Sequence, residues 1–245
     1  MSRKIFGLHA ARAALEHAPE RIRCAWLDRQ RRDARLEELR RLLQEAGIAI
    51  QVTARKRLDR LAASGHHQGI VMEVVLPPEQ GEDALEAVLD RGGAPPLFLV
   101  LDQVQDPHNL GACLRTCDAV GAAGIIVAKD RTVGLTPTVC KVASGAAESV
   151  PLFRVTNLAR ALERLKKAGL WIAGAAGEAT QTAFESDLSG PLAIVVGAEG
   201  EGLRRLTRDK CDFLIKLPMY GSVASLNLSV AAGVLLYEAI RQRTH

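Results

Sequence analysis

The 245 residues, 48% hydrophobic and 24% charged with a formal net charge of +4, describe a soluble globular chain of one large or two compact domains and exclude a disordered one. No apolar run approaches the roughly 18–20 residues that a spanning helix needs. The opening Ile5-Phe6-Gly7-Leu8-His9-Ala10-Ala11-Arg12 is too broken by His and Arg for a signal peptide, so a cytoplasmic protein without a membrane partner is expected.

Five Cys, an odd number without C-x-x-C spacing, argue against a disulfide framework and a zinc knuckle, and no metal site is expected. In chain order, residues 3–75 alternate short apolar runs with helical patterns. Strands are predicted at 23–27, 48–52 and 69–75, and helices at 8–17, 33–46 and 55–63, with Gly47 ending the second helix. This pattern describes a small α/β/α unit. Positive charge concentrates in it. Residues 1–75 hold 15 Lys+Arg against 9 Asp+Glu, a balance of +6, whereas residues 76–245 hold 17 against 19, a balance of −2. The excess lies in Arg29, Arg31, Arg32, Arg35, Arg40, Arg41 and Arg55-Lys56-Arg57-Leu58-Asp59-Arg60. Such a surface suits a polyanion. Equally, Arg35-Leu36-Glu37-Glu38-Leu39-Arg40 has the spacing of a solvated helix face whose charges pair across a turn. Five Phe, two Trp and two Tyr disfavour binding modes that need several stacking platforms.

Residues 76–96 carry two Pro/Gly clusters around an acidic helical turn or two and read as an interdomain linker. From Leu97 the strands, at 97–101, 124–128, 171–174 and 192–196, are nearly all apolar and alternate with helices at 109–121, 157–168 and 226–243. This alternation implies a mainly parallel sheet covered on both faces. Its ligands belong beyond the carboxyl ends of the strands, in the loops after Leu101, Val196 and Leu217.

The first loop leads through Asn109 into a helix, and Asn109 is placed to cap it. Arg115 comes next among Ala112, Cys113, Leu114 and Cys117. A cation buried there requires an anionic partner, and a helix start with a guanidinium can hold a phosphate. Cys113 and Cys117 read as small core residues. The second loop, Gly197-Ala198-Glu199-Gly200-Glu201-Gly202-Leu203-Arg204-Arg205, has neither a P-loop nor a complete G-x-G-x-x-G, which disfavours Walker-type ATP use and ordinary dinucleotide binding. Its glycines imply a tight turn or a backbone lying against a ligand. Glu199 suits a cation or a ribose hydroxyl. In the third loop Ser222, Ser225, Asn227 and Ser229 crowd the entrance of the last helix, more polar groups than capping requires. Residues 230–240 of that helix are apolar on nearly every side and require cover all round, by the sheet and by a second subunit.

Taken in order, Asn109-x-Gly111-x-x-x-Arg115, Gly197-x-Glu199-Gly200-x-Gly202, and Leu217-Pro218-Met219 with Ser225-Leu226-Asn227-x-Ser229 resemble the three motifs of the TrmH/SpoU ribose methyltransferases. Those are SPOUT-class enzymes that use S-adenosylmethionine. Ile5-Phe6-Gly7-Leu8-His9-Ala10 and His67-Gln68-Gly69-Ile70-Val71 resemble the entry and exit of that family's L30e-type RNA-binding domain, so the likeness covers nearly the whole chain. Residues 141–151 and Arg241-Gln242-Arg243 resemble the bacterial branch that methylates a guanosine ribose in the peptidyl-transferase loop of 23S rRNA.

The resemblance implies an α/β protein: an L30e-like RNA-binding domain at 1–75, a linker at 76–96, and a SPOUT methyltransferase domain at 97–245 with a parallel sheet and a deep C-terminal trefoil knot. It also implies a homodimer acting on 23S rRNA or a ribosomal assembly intermediate. By the same resemblance Arg115 is the catalytic residue, and Asn109, Glu199, Ser225 and Asn227 fix it and the ribose. Gly197, Gly202, Leu217, Met219 and Leu226 hold the cofactor, while Arg31, Arg32, Arg35, His67 and Gln68 meet the RNA. A guanidinium is a poor base, so Arg115 is expected to grip phosphate and leave RNA phosphate or water to take the hydroxyl proton. Two other readings share these features: a tRNA ribose methyltransferase, and a non-catalytic RNA-binding assembly protein.

Overall fold

In the computed structural model, which describes residues 2–90, 94–198 and 200–244, the chain opens with β1 (Ser2–Phe6), α1 (Leu8–His17), β2 (Ile22–Asp28), α2 (Ala34–Glu45), β3 (Ile50–Thr53), α3 (Arg55–Ala62) and β4 (Ile70–Val75). The sheet order is β1-β4-β2-β3. β4 runs antiparallel to β1 and β2, and β3 lies parallel to β2. α2 starts where the Asp33 carboxylate accepts the Leu36 amide, and it buries Leu36, Leu39 and Leu43, a single helical stripe. Gly47 comes after it with φ of 69°, as expected for a helix end. β1 escapes the sequence pattern because Arg3 occupies one of its inward positions, where its guanidinium bonds the Glu148 carboxylate at 2.5 Å.

The chain continues with α4 (Glu82–Leu89), β5 (Leu97–Asp102), α5 (Pro107–Ala119), β6 (Gly124–Ala128), α6 (Pro137–Val142), α7 (Ala146–Ser149), β7 (Leu152–Val155) and α8 (Leu158–Lys167). It ends with β8 (Trp171–Ala175), β9 (Gln181–Thr182), β10 (Leu192–Gly197), α9 (Arg205–Arg208), β11 (Phe213–Lys216) and α10 (Leu228–Thr244). Two units result: residues 1–78 with 135–149, and residues 79–134 with 150–245. α6 and α7 thus pack with the first unit, a long-range association that no local pattern announces.

The second unit is built on a parallel sheet of order β7-β6-β5-β10-β8-β11-β9. Every residue of β5 and β10 is buried, which is why both read as unbroken apolar runs. Leu85 of α4 and Leu158, Leu162 and Leu165 of α8 share one core with Phe98, Val100, Phe153 and Val195 of the strands. α4 lies within the segment read as a linker. Full burial of Leu85, worth about 1.5–3 kcal/mol, is what draws that segment onto the sheet. β7, β9 and β11 are two to four residues long and lie toward the margins of the sheet, too short to show a period. α10 packs against α5 and β10. Its end is fastened by Gln242, which donates to the Ser186 carbonyl (3.1 Å), and by Arg243, which donates to that of Pro95 (2.9 Å). Among the described residues no helix is long and apolar enough to cross a membrane.

Candidate active site

Because the strands are parallel, the carboxyl ends of β5, β10, β8 and β11 fall side by side: Asp102 opposes Gly197, Gly174 opposes Val195, and Ile215 opposes Ala175. Beyond the last three strands opens a cavity of about 840 Å³, a size suited to a cofactor. Gly197, Gly202, Leu217, Met219 and Leu226, the five residues expected to hold the cofactor, all line it, and so does Ser225. The sequence reading missed the opposite wall, Ala175, Ala176, Gly177 and Glu178, where the Glu178 carboxylate pairs with Arg208. The signal was a run of small residues directly after a buried strand.

The glycine-rich turn is held by backbone geometry. The Gly202 amide donates to the Ala198 carbonyl at 2.9 Å, and Gly200 and Gly202 have φ of 79° and 67°. A Cβ at Gly197 would stand 2.1 Å from the carbonyl carbon and oxygen of Gly202, so only glycine lets the turn fold back onto its strand. Glu199 lies outside the described residues. Asp102, fully buried at the end of β5, anchors the segment on the far side of the turn. Its carboxylate accepts from the Arg204 amide (3.0 Å), Nε (2.7 Å) and Nη2 (2.6 Å). The sequence signal for it is a carboxylate ending an otherwise apolar buried strand, which demands a charged or hydrogen-bonding partner.

Asn109 does not cap α5. Asp106 does, accepting the His108 amide at 2.8 Å, and Pro107 occupies the first helical position. Asn109 sits in the first turn, and its Oδ1 accepts from Nδ2 of Asn227 at 2.9 Å. Oδ1 of Asn227 in turn accepts the Ser229 amide (2.9 Å) and hydroxyl (2.6 Å), capping α10. One side chain therefore joins the first motif to the third. In a double-mutant cycle on urea unfolding, Asn109→Ala and Asn227→Ala are expected to couple by about 0.5–1 kcal/mol, and strict additivity would contradict the link.

Arg115 is exposed, which corrects the expectation of a buried cation. Six positions beyond Asn109 it is turned about 120° around the helix, away from the core side of Leu110, Leu114 and Cys117. It does not line the cavity, and no ion pair engages it among the described residues. Cys113 and Cys117 are fully buried. Burial pushes the Cys113 thiol up to about 12 and the Cys117 thiol well above its usual value, so both are inert core residues.

In the first unit Arg32 and Arg35 are exposed, whereas Arg31 is half-buried and paired with Asp33. Oε1 of Gln68 accepts the Leu8 amide at 2.9 Å and so serves the start of α1, where Gly7 offers no side-chain cap. His67 is corrected from an RNA contact to a buried positioning residue. Its Nδ1 accepts the Gly69 amide (3.0 Å), which leaves Nε2 to donate to the Asp59 carboxylate (3.1 Å). The parallel pairing of β2 with β3, with the Arg29 amide on the Thr53 carbonyl at 2.8 Å, places two basic segments at one end of the sheet: residues 29–35, and residues 55–57 at the start of α3.

Residues 96–237 match the SpoU rRNA Methylase family, and residues 4–80 match the family described as RNA 2'-O ribose methyltransferase substrate binding. The chain is 55% identical over 240 residues to the 23S rRNA (guanosine-2'-O-)-methyltransferase RlmB of Pseudomonas putida, covering 98% of this chain and 96% of that one. To the protein of the same name from Shewanella oneidensis it is 56% identical over 239 residues, covering 98% and 97%. A solved structure of the SpoU methyltransferase AviRb from Streptomyces viridochromogenes, in complex with the cofactor AdoMet, matches with a TM-score of 0.80 at 27% identity, over 99% of this chain and 91% of that one. With its three motifs in order, its parallel sheet and these matches along almost its whole length, the chain belongs to the SpoU rRNA methylase family.

Proposed function

We propose that this chain methylates the 2′-oxygen of a guanosine ribose in 23S rRNA, in the peptidyl-transferase loop, with S-adenosylmethionine as methyl donor. The observation that carries the reading is the convergence of all five expected cofactor residues on one cavity at the strand ends. The lining fits that group. Leu217 and Leu226 offer apolar cover for an adenine ring, and the backbone around Gly197 and Gly202 offers polar groups close to a ligand. S-adenosylmethionine bound there supplies a methyl group already activated by its sulfonium charge. The protein's own task is to hold the ribose hydroxyl in line and to let its proton leave. Arg115, exposed and without an ion pair among the described residues, is suited to grip an RNA phosphate by two parallel hydrogen bonds. The hydroxyl proton then passes to phosphate or water. Asn109 and Asn227, joined to each other, hold α5 and the entrance of α10 in place, and Ser225 lines the cavity beside them.

A homodimer belongs to this reading. Val230, Val234 and Tyr237 are exposed at successive turns of α10, an apolar stripe that a second copy would cover. The C-terminal trefoil knot is supported by family membership alone. In the proposed division of labour, residues 1–75 bind 23S rRNA or an assembly intermediate through Arg32, Arg35 and the neighbouring basic segments, residues 97–245 carry the chemistry, and the enzyme works in the cytoplasm.

Calorimetric titration should give binding of S-adenosylhomocysteine and none of NAD. Methylation of a 23S rRNA fragment, mapped at its 2′-oxygens, should mark one guanosine. Arg32→Glu with Arg35→Glu should weaken binding of that fragment about tenfold, with a lower salt dependence, and leave S-adenosylhomocysteine affinity unchanged. Absence of S-adenosylhomocysteine binding by the unmodified chain would contradict the whole reading.

A further inference from the structure

We propose that the first unit carries a second RNA contact, a cleft that takes a phosphodiester of single-stranded RNA, built from β1, the start of α1, the loop at 66–68 and residues 137–148. The inference rests on the reading that the substrate is RNA. The cleft has a volume of about 490 Å³. Lys4, His9, His66 and Lys141 line it and are all exposed, so two ammonium groups and two imidazole rings face one ligand. Its one carboxylate among the described residues is Glu148, whose side chain is 1% exposed and already held by Arg3 (2.5 Å) and Arg21 (3.1 Å). Both guanidinium groups converge on this one buried carboxylate, and the half-buried Arg21 also approaches the exposed Glu20 at 3.6 Å. Nε of Arg3, also buried, has no hydrogen-bond acceptor among the described residues. An anion in the cleft supplies the acceptor that the Arg3 Nε lacks, and a further cation does not.

The rest of the lining explains why a nucleotide chain fits better than a bare ion. Phe6, Ala10, Ala62 and Pro137 supply apolar wall against which a ribose or base can rest. Lys141 is held with Nζ 5.6 Å from the centre of the Phe6 ring, so its charge stays at the cleft. Residues 143–146 lie tightly on α1: a Cβ at Gly145 would meet that of Ala13 at 2.7 Å, so this wall is fixed by packing. β1 and β3 are the opposite edges of the four-stranded sheet, about 14 Å apart at the usual strand spacing. None of residues 29–35 or 55–57 lines the cleft, although its loop at 66–68 adjoins that basic end of the sheet where Gly69 meets Arg31.

The test uses the full chain carrying Lys4→Gln and Lys141→Gln, both at exposed positions, and fluorescence anisotropy of a labelled 23S rRNA fragment at several salt concentrations. Affinity should fall about tenfold, and the slope of log affinity against log salt should lessen by about 0.7, the value for one phosphate contact to single-stranded RNA. The thermal midpoint and S-adenosylhomocysteine affinity should not change. In the unmodified chain, the ring NMR signals of His9 and His66 should move with a short single-stranded oligoribonucleotide and not with the same concentration of inorganic phosphate. An unaltered salt slope in the variant overturns the proposal and is also what a protein ligand for the cleft would produce. Equal shifts with inorganic phosphate overturn it in favour of a free-phosphate site. If the unmodified chain fails to bind the rRNA fragment at all, the proposed function falls with it. If the chain binds and the variant matches it, this cleft alone is discarded.

Discussion

Arg115→Ala is expected to lower methyl transfer to a 23S rRNA fragment by about a thousandfold while S-adenosylhomocysteine binds as in the unmodified chain. The size comes from removing a charged, bidentate donor from the place where charge must be held during reaction, a loss that costs about 10²–10³ in rate where one such group has been deleted from an enzyme. The separation of effects comes from position. Arg115 does not line the cavity that holds the expected cofactor residues, so its loss leaves that cavity intact. Fold stability should be unchanged or slightly raised, because the side chain is exposed on a helix and Ala is the better helix former. Arg115→Lys keeps the charge and loses the fork, so it should recover only part of the rate. Single-turnover transfer of a labelled methyl group reads the rate, and calorimetry reads the affinity. Near-normal transfer in the alanine variant would remove Arg115 from the mechanism.

Gly197→Ala should have the largest effect on the cofactor: a loss of S-adenosylhomocysteine affinity beyond about a hundredfold, with destabilisation of about 1–3 kcal/mol for the forced overpacking. The added methyl would stand 2.1 Å from backbone atoms of Gly202 and 2.5 Å from the Leu203 amide nitrogen. Backbone cannot swing aside as a long side chain can. The turn at 198–202 must lift from the strand, and with it one wall of the cavity. Gly190→Ala is the control, since nothing lies within 4 Å of its Cβ position, and its stability and affinity should be those of the unmodified chain. Wild-type affinity in Gly197→Ala would show that the turn does not shape the site.

Much of the second unit was legible in the amino acids. Leu97–Val100 and Leu192–Val196 read as buried parallel strands because burial on both faces requires an unbroken apolar run, and that signal is local. The loops after them drew attention for the same reason: glycines and polar groups directly after such a strand have few purposes other than a tight turn or a ligand. Asn109 and Arg115 stand out in the sequence, but their surroundings differ from those its pattern predicts. A helix that begins two residues early, capped by Asp106, turns the first toward Asn227 and the second toward solvent.

Composition, the basic first half, the long apolar strands and the order of the three motifs are properties of the chain read in one dimension, and the amino acids alone determined them. Tertiary structure alone decided that His67 is buried against Asp59, that Asp102 holds Arg204, and that residues 135–149 pack with the first unit. Each of these depends on side chains that meet across the fold, where the energy of a buried polar group is set by whichever distant partner arrives, and no periodicity in the sequence encodes that partner.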